Sequence, residues 1–219
     1  MKYLREVKKI VQISFIISLI LLVGYFSLEP QLTTAVSASD SVIITLTVDP
    51  GITITSPSDT AMSRNLGVAV DTATAATTWN VKTNNSLGYT LAVKATSTPA
   101  MRHSNGTDSI LNYSETVGGT PETWSVSSAT AEFGYSAFGT DVPTATWGTD
   151  TDCINAAHVN SATLKYVGLS TSDKTIATRA STTTPTGVDA TVCYAVQQNG
   201  YYIPSGTYTA TVTATATTL

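Results

Sequence analysis

Two cysteines, two histidines, three tryptophans and a scatter of aspartates carry nearly all the chemistry this chain can offer. Cys153 and Cys193 are the only cysteines. An even pair with no C-x-x-C motif predicts a structural disulfide in an oxidising compartment. It would close a loop of about 40 residues, which in the chain-entropy model stabilises by roughly 4 kcal/mol. His103 and His158 fall in expected loops, and neither takes part in an HxH or HExxH spacing suited to zinc. Gly134 to Gly139 reads GYSAFG, not the G-x-S-x-G of a nucleophile elbow. No enzyme activity, cofactor or metal is therefore expected. A weak calcium candidate is Asp150, Asp152 and Asn155 in GTDTDCIN, where oxygen ligands fall near alternate positions. The segment lacks the following Gly and distal Glu of a calcium loop, and a solvated Asx turn is the simpler reading.

The aromatic residues divide by context. Trp79 alternates with Val81 and Trp124 with Val126, the spacing of core side chains on strands. Trp147, between Pro143 and Gly148, and Tyr201-Tyr202, close to Pro204, are expected in loops and are the candidate ligand contacts. Asn84, Asn105 and Asn112 open N-x-S/T sequons, which carry little information in a chain with 41 Thr and 23 Ser.

These residues must be positioned by elements that the composition restricts to one class. Thr, Ser and 24 Ala fill 40% of the 219 residues, only 12% are charged, and the net charge is −4. An acidic chain lacks the basic field that nucleic acid requires. The Leu, Glu, Lys and Arg content of a helical bundle is missing, while 42% apolar residues suffice for a packed core.

Residues 10–28, IVQISFIISLILLVGYFSL, form 19 uncharged positions behind Lys2, Arg5, Lys8 and Lys9. A helix of that length is about 28 Å long, close to the hydrocarbon thickness of a bilayer. The basic flank predicts a cytoplasmic N-terminus with everything after the helix exported. Val36-Ser37-Ala38 suits signal-peptide cleavage before Ser39, and retention as a membrane anchor is the alternative. The expected domains are thus 1–38 and 39–219, the second with 7 basic and 13 acidic residues.

After Ser41 the period is two. Val42, Ile44, Leu46 and Val48 share one face of SVIITLTV, and further strands are expected at 52–55, 77–83, 88–95, 122–126, 131–138, 163–169, 175–179, 188–197 and 206–217. Such spacing predicts an all-β, Ig-like or pilin-like antiparallel sandwich of about eight to ten strands, with a long loop around 97–121. In the last strand Tyr208, Ala210 and Val212 alternate with threonines. This strand and the leading one, through Val42, Ile44 and Leu46, are candidates for strand exchange with a neighbour. No LPxTG-like sorting signal follows.

The succession SVIITLTVDPGITI, TTWNVKTNNSLGYTLAVKA and PSGTYTATVTATAT resembles secreted bacterial surface β-sandwiches. Gly206 to Thr211, with Trp79-Asn80-Val81 and Trp124-Ser125-Val126, is similar to WxL-type cell-wall-binding domains, with Val in place of Leu. Gly88-Tyr89-Thr90-Leu91, Met101-Arg102 and Leu111-Asn112-Tyr113 resemble spore-coat-U-like pilin domains, without their early cysteines. Both resemblances imply a non-catalytic surface protein. Its partners would be itself, other surface proteins, or wall and host glycans.

Overall fold

A computed structural model describes residues 2–27, 37–153 and 163–219. The chain divides into two units, 1–47 and 48–219. The first contains helix α1 (Lys2–Ser27), long and apolar enough to cross a membrane and with none of its apolar window buried. Residues 37–47 follow without secondary structure. The expected strand at 41–48 is absent, and Val42, Ile44, Leu46 and Val48 are 70–92% exposed. Strands form only where both ladder and apolar face find a partner, and among the described residues no strand pairing includes these. Of the proposed cleavage triplet, Val36 lies outside the described residues.

The second unit is all-β apart from one helical turn. Its strands are β1 (Ile52–Thr55), β2 (Thr72–Thr83), β3 (Tyr89–Ala95), β4 (Met101–His103), β5 (Ser109–Asn112), β6 (Glu122–Thr123) and β7 (Thr130–Gly139). After the turn α2 (Thr144–Trp147) come β8 (Lys165–Gly168), β9 (Lys174–Arg179), β10 (Val188–Asn199), β11 (Tyr208–Thr209) and β12 (Val212–Thr218). The large sheet runs β1-β2-β10-β7-β5-β4-β11, with β8 also on β7 and β6 on β8. The small sheet runs β12-β3-β9.

Alternation places the core between the sheets. Ala73, Ala75, Trp79 and Val81 of β2 meet Val192, Tyr194 and Val196 of β10 and Leu91 and Val93 of β3 in one apolar cluster. The opposite parity of β10 serves a second cluster. Cys193 and Ala195 lie with Tyr113, Trp124, Val126, Cys153, Leu164 and Tyr166. Space for it comes from small residues, since a Cβ on Gly134 would sit 2.8 Å from the Trp124 ring and from Tyr113 Cβ. Tyr113 and Trp124 stack with centroids 4.6 Å apart, and Trp124 Nε1 donates to Gln197 Oε1 at 2.7 Å.

Three expectations are corrected. The stretch 97–121 contains β4 and β5 and is not one long loop. The final segment 206–217 is two strands in different sheets: β11 pairs with β4 of the large sheet, and β12 with β3 of the small one. The chain changes sheets at Ala210-Thr211, where the Thr211 carbonyl accepts the Thr96 N–H at 3.1 Å. Trp147 lies in a one-turn helix and not in an open loop.

Candidate functional site

The disulfide expected from the two cysteines is formed, joining Cys153 to Cys193 across 40 residues. Both are buried in the outer cluster, so the bond anchors the segment that follows α2 to strand β10. Asp150 acts as a turn residue: its Oδ1 accepts the N–H groups of Thr151 at 2.8 Å and Asp152 at 3.2 Å. Asn155 and His158 lie outside the described residues. Among the described residues no group of three His, Cys, Asp or Glu side chains is placed to hold a metal.

Trp147 is fully buried and makes no exposed contact. The Pro143 carbonyl accepts the N–H groups of Thr146 and Trp147, both at 3.0 Å. The resulting turn throws the indole onto Tyr135, centroids 5.5 Å apart, below the Lys174 ammonium at 5.8 Å. A Cβ on Gly148 would lie 1.9 Å from the Thr163 carbonyl oxygen, so glycine alone permits this crossing. Pro before and Gly after a four-residue stretch is the signal that announces such a turn. Tyr201 and Tyr202 do stand exposed, in the connection from β10 to β11. His103 is a structural residue. Its ring packs edge-on against Tyr208 at 4.7 Å, and its Nε2 lies 3.2 Å from the Ser205 carbonyl.

A cleft of about 700 Å³ is rimmed by Thr78, Phe138, Asp150, Asp189 and Thr191. Its polar groups are partly engaged with one another: Thr78 and Thr191 hydroxyls are 2.8 Å apart, and Asn80 Nδ2 donates to Asp189 at 2.7 Å. No histidine, cysteine or lysine is among the cleft's lining residues.

The candidate site is instead a margin of the sandwich. β1 and β12, one from each sheet, lie against one another there, and each pairs on one side only. The inward residues Ile52 and Ile54 of β1 and Val212, Ala214 and Ala216 of β12 pack on the core while remaining half-exposed. Small alanines make the rim shallow. From Val212 to Thr218 β12 carries no charge, proline or bulge, the devices that normally protect an edge strand.

Of the strand-exchange candidates, Val42, Ile44 and Leu46 are exposed and unpaired, and Val212 begins the free-edged β12. Tyr208 is held differently from expectation: β11 pairs with β4, and the Tyr208 hydroxyl donates to the Pro204 carbonyl at 3.1 Å. Ala210 sits half-buried between the sheets and belongs to neither strand. The free margin thus starts at Val212, a boundary that sequence alternation alone does not reveal.

Elsewhere the buried polar groups are structural. Tyr89 donates to Asp141 at 2.8 Å, and the same carboxylate binds Arg179 at 3.1 Å. Burial and the Asp141 charge hold the Tyr89 phenol well above its ordinary range. Burial likewise raises Tyr194 to about 12, against a lowering hydrogen bond from Thr77. None of these groups opens onto a cleft with a second reactive side chain. No family model, curated protein or solved structure matches this chain, so a reading of its function rests on its own geometry.

Proposed function

We propose that the chain is an exported, non-catalytic surface protein that works through its sheet edges and loops, in adhesion or assembly. The observation that carries this is one combination in a single polypeptide. A helix long enough to cross a membrane precedes a disulfide-closed β unit whose margin is unprotected. The charge pattern supports the direction of export, because the basic residues before the apolar run favour the cytoplasmic side. The disulfide is compatible with an oxidising exterior.

Shaving intact cells with protease tests the reading. Residues 48–219 should be lost or trimmed from cells whose cytoplasmic markers survive. Full protection of that unit until the cells are lysed contradicts export to the surface.

Glycan binding is the second reading, and a specific observation keeps it: the consecutive residues Tyr201 and Tyr202 are both exposed, leaving aromatic surface open to solvent. It no longer includes Trp147. Replacing both tyrosines with alanine should abolish retention on wall or host glycan if this reading holds.

A further inference from the structure

We infer that Val42–Val48 of one copy adds as a strand to the free edge of β12 in a second copy, joining molecules head to tail. The inference rests on the surface-assembly reading above and specifies its partner, donor and acceptor.

Four observations converge on this pairing. The first is the donor itself. From Ser41 to Val48 there is neither charge nor proline, while Asp40 and Asp49 flank the segment. Apart from Ile43, its apolar residues alternate, and they stand open to solvent, with Val42 at 83%, Ile44 at 92% and Leu46 at 84%. Such a segment is an aggregation hazard unless it has a designated edge to occupy.

Length selects the acceptor. β12 offers seven residues, Val212–Thr218, to the seven of Val42–Val48. The other free edge at this margin, β1, offers four and is followed by Ser56-Pro57, so it cannot take the whole donor.

Shape supports the match. An added strand sets its inward row beside Val212, Ala214 and Ala216, and two of these three are alanine. Val42, Ile44, Leu46 and Val48 bring the bulk that the alanines leave out. They would cover Ile52 and Ile54 at the rim, and the outward Thr45 and Thr47 would continue the row of Thr213, Thr215 and Thr217.

The fourth observation sets the pairing between molecules. Donation within one chain requires a reversal between Val48 and Ile52, through Asp49-Pro50-Gly51. Those residues are fixed in line with β1. Gly51 N–H donates to Asn84 Oδ1 at 2.6 Å, Asn84 Nδ2 to the Asp49 carbonyl at 2.9 Å, and Thr83 Oγ1 to the Gly51 carbonyl at 2.7 Å. A second copy can supply the same edge with these bonds intact. One donor and one acceptor per chain give a heterologous, head-to-tail assembly, open where the rotation between copies does not close.

The test uses the full chain in detergent. Ile44→Asp with Leu46→Asp changes two solvent-exposed side chains that precede the β unit, so the melting temperature should stay put. Association should weaken by about a hundredfold or more, since two large buried side chains are replaced by charges. In parallel, Thr45→Cys is paired with Thr213→Cys, Thr215→Cys or Thr217→Cys. At least one pair should give a ladder of covalent multimers on non-reducing gels, whereas Thr45→Cys alone stops at a dimer. Wild-type association that survives the double aspartate variant overturns this inference and leaves surface assembly standing by another contact. Covalent monomers in place of a ladder overturn it in favour of donation within one chain. A wild-type chain monomeric at every concentration removes both the inference and the assembly reading.

Discussion

Asn84 holds Gly51 as a neighbouring strand would: its side-chain oxygen takes the Gly51 N–H at 2.6 Å, and its backbone N–H donates to the Gly51 carbonyl at 3.3 Å. One residue at the end of β2 thereby extends the β1 pairing past the last ladder position, Ile52 with Thr83. The direction in which the chain enters β1 is set by this contact.

Asn84→Ala should therefore loosen the entry to β1. Two side-chain hydrogen bonds are lost, worth about 1–2 kcal/mol together, and the melting temperature should fall by roughly 2–8 °C. Hydrogen exchange at Gly51 should quicken ahead of exchange in β10. Unchanged exchange at Gly51 contradicts the role given to this side chain.

Removal of the disulfide should cost far more. With Cys153→Ala and Cys193→Ala together, the chain-entropy model gives a loss of about 4 kcal/mol and a drop on the order of 10 °C in melting temperature. The main core does not depend on this bond, so the β-sheet signal in circular dichroism should persist below the new midpoint. A melting temperature within about 2 °C of wild type would show that the outer cluster holds β10 without it.

Gly134→Ala should also destabilise, for a steric reason. The new methyl would lie 2.8 Å from the Trp124 ring and from Tyr113 Cβ, in a packed cluster. Overpacking of this kind costs typically about 1–3 kcal/mol. Gly118→Ala, where no atom lies within 4 Å of the added Cβ, is the control and should melt as wild type does. Equal melting of the two variants contradicts the packing described.

Alkaline stability follows from the buried phenols. Burial raises Tyr113 and Tyr194 to about 12 from an ordinary 10, and raises Tyr89 and Tyr135 as well. Between pH 10 and 12 the unfolded chain loses these protons while the folded chain keeps them. Their stabilising contribution is fully present below pH 10 and declines as the pH climbs through the folded values. Chemical denaturation at pH 9 and pH 11 should show the midpoint falling, and Tyr194→Phe should make the fall shallower. A midpoint that holds or rises at pH 11 contradicts the burial of these groups.

Most of the fold was legible because alternation and turn chemistry agreed with one another. Trp79 with Val81, and Trp124 with Val126, read correctly as core side chains on alternating residues, and the two cysteines correctly as a disulfide. The first half of β2, Thr72–Ala76, was missed because alanine and threonine alternate without bulk. Its burial comes from pairing with Cys193 to Gln197 of β10, a partner more than a hundred residues away. The break between β11 and β12 was illegible for a related reason, as the Thr alternation runs straight through a change of sheet. Trp147 misled because its loop-like setting concealed a helical turn. At 41–48 period two suggested a strand and none forms, because alternation states which face is apolar and is silent on what would cover it.

Light scattering coupled to size exclusion, run on the full chain in detergent over a range of concentrations, tests the central claim most directly. The account predicts mass that grows with concentration in discrete multiples of the monomer, with elongated particles in electron micrographs. A single monomeric mass at every concentration would contradict a protein that works by assembly through its edges, and would leave adhesion through its loops as the remaining role.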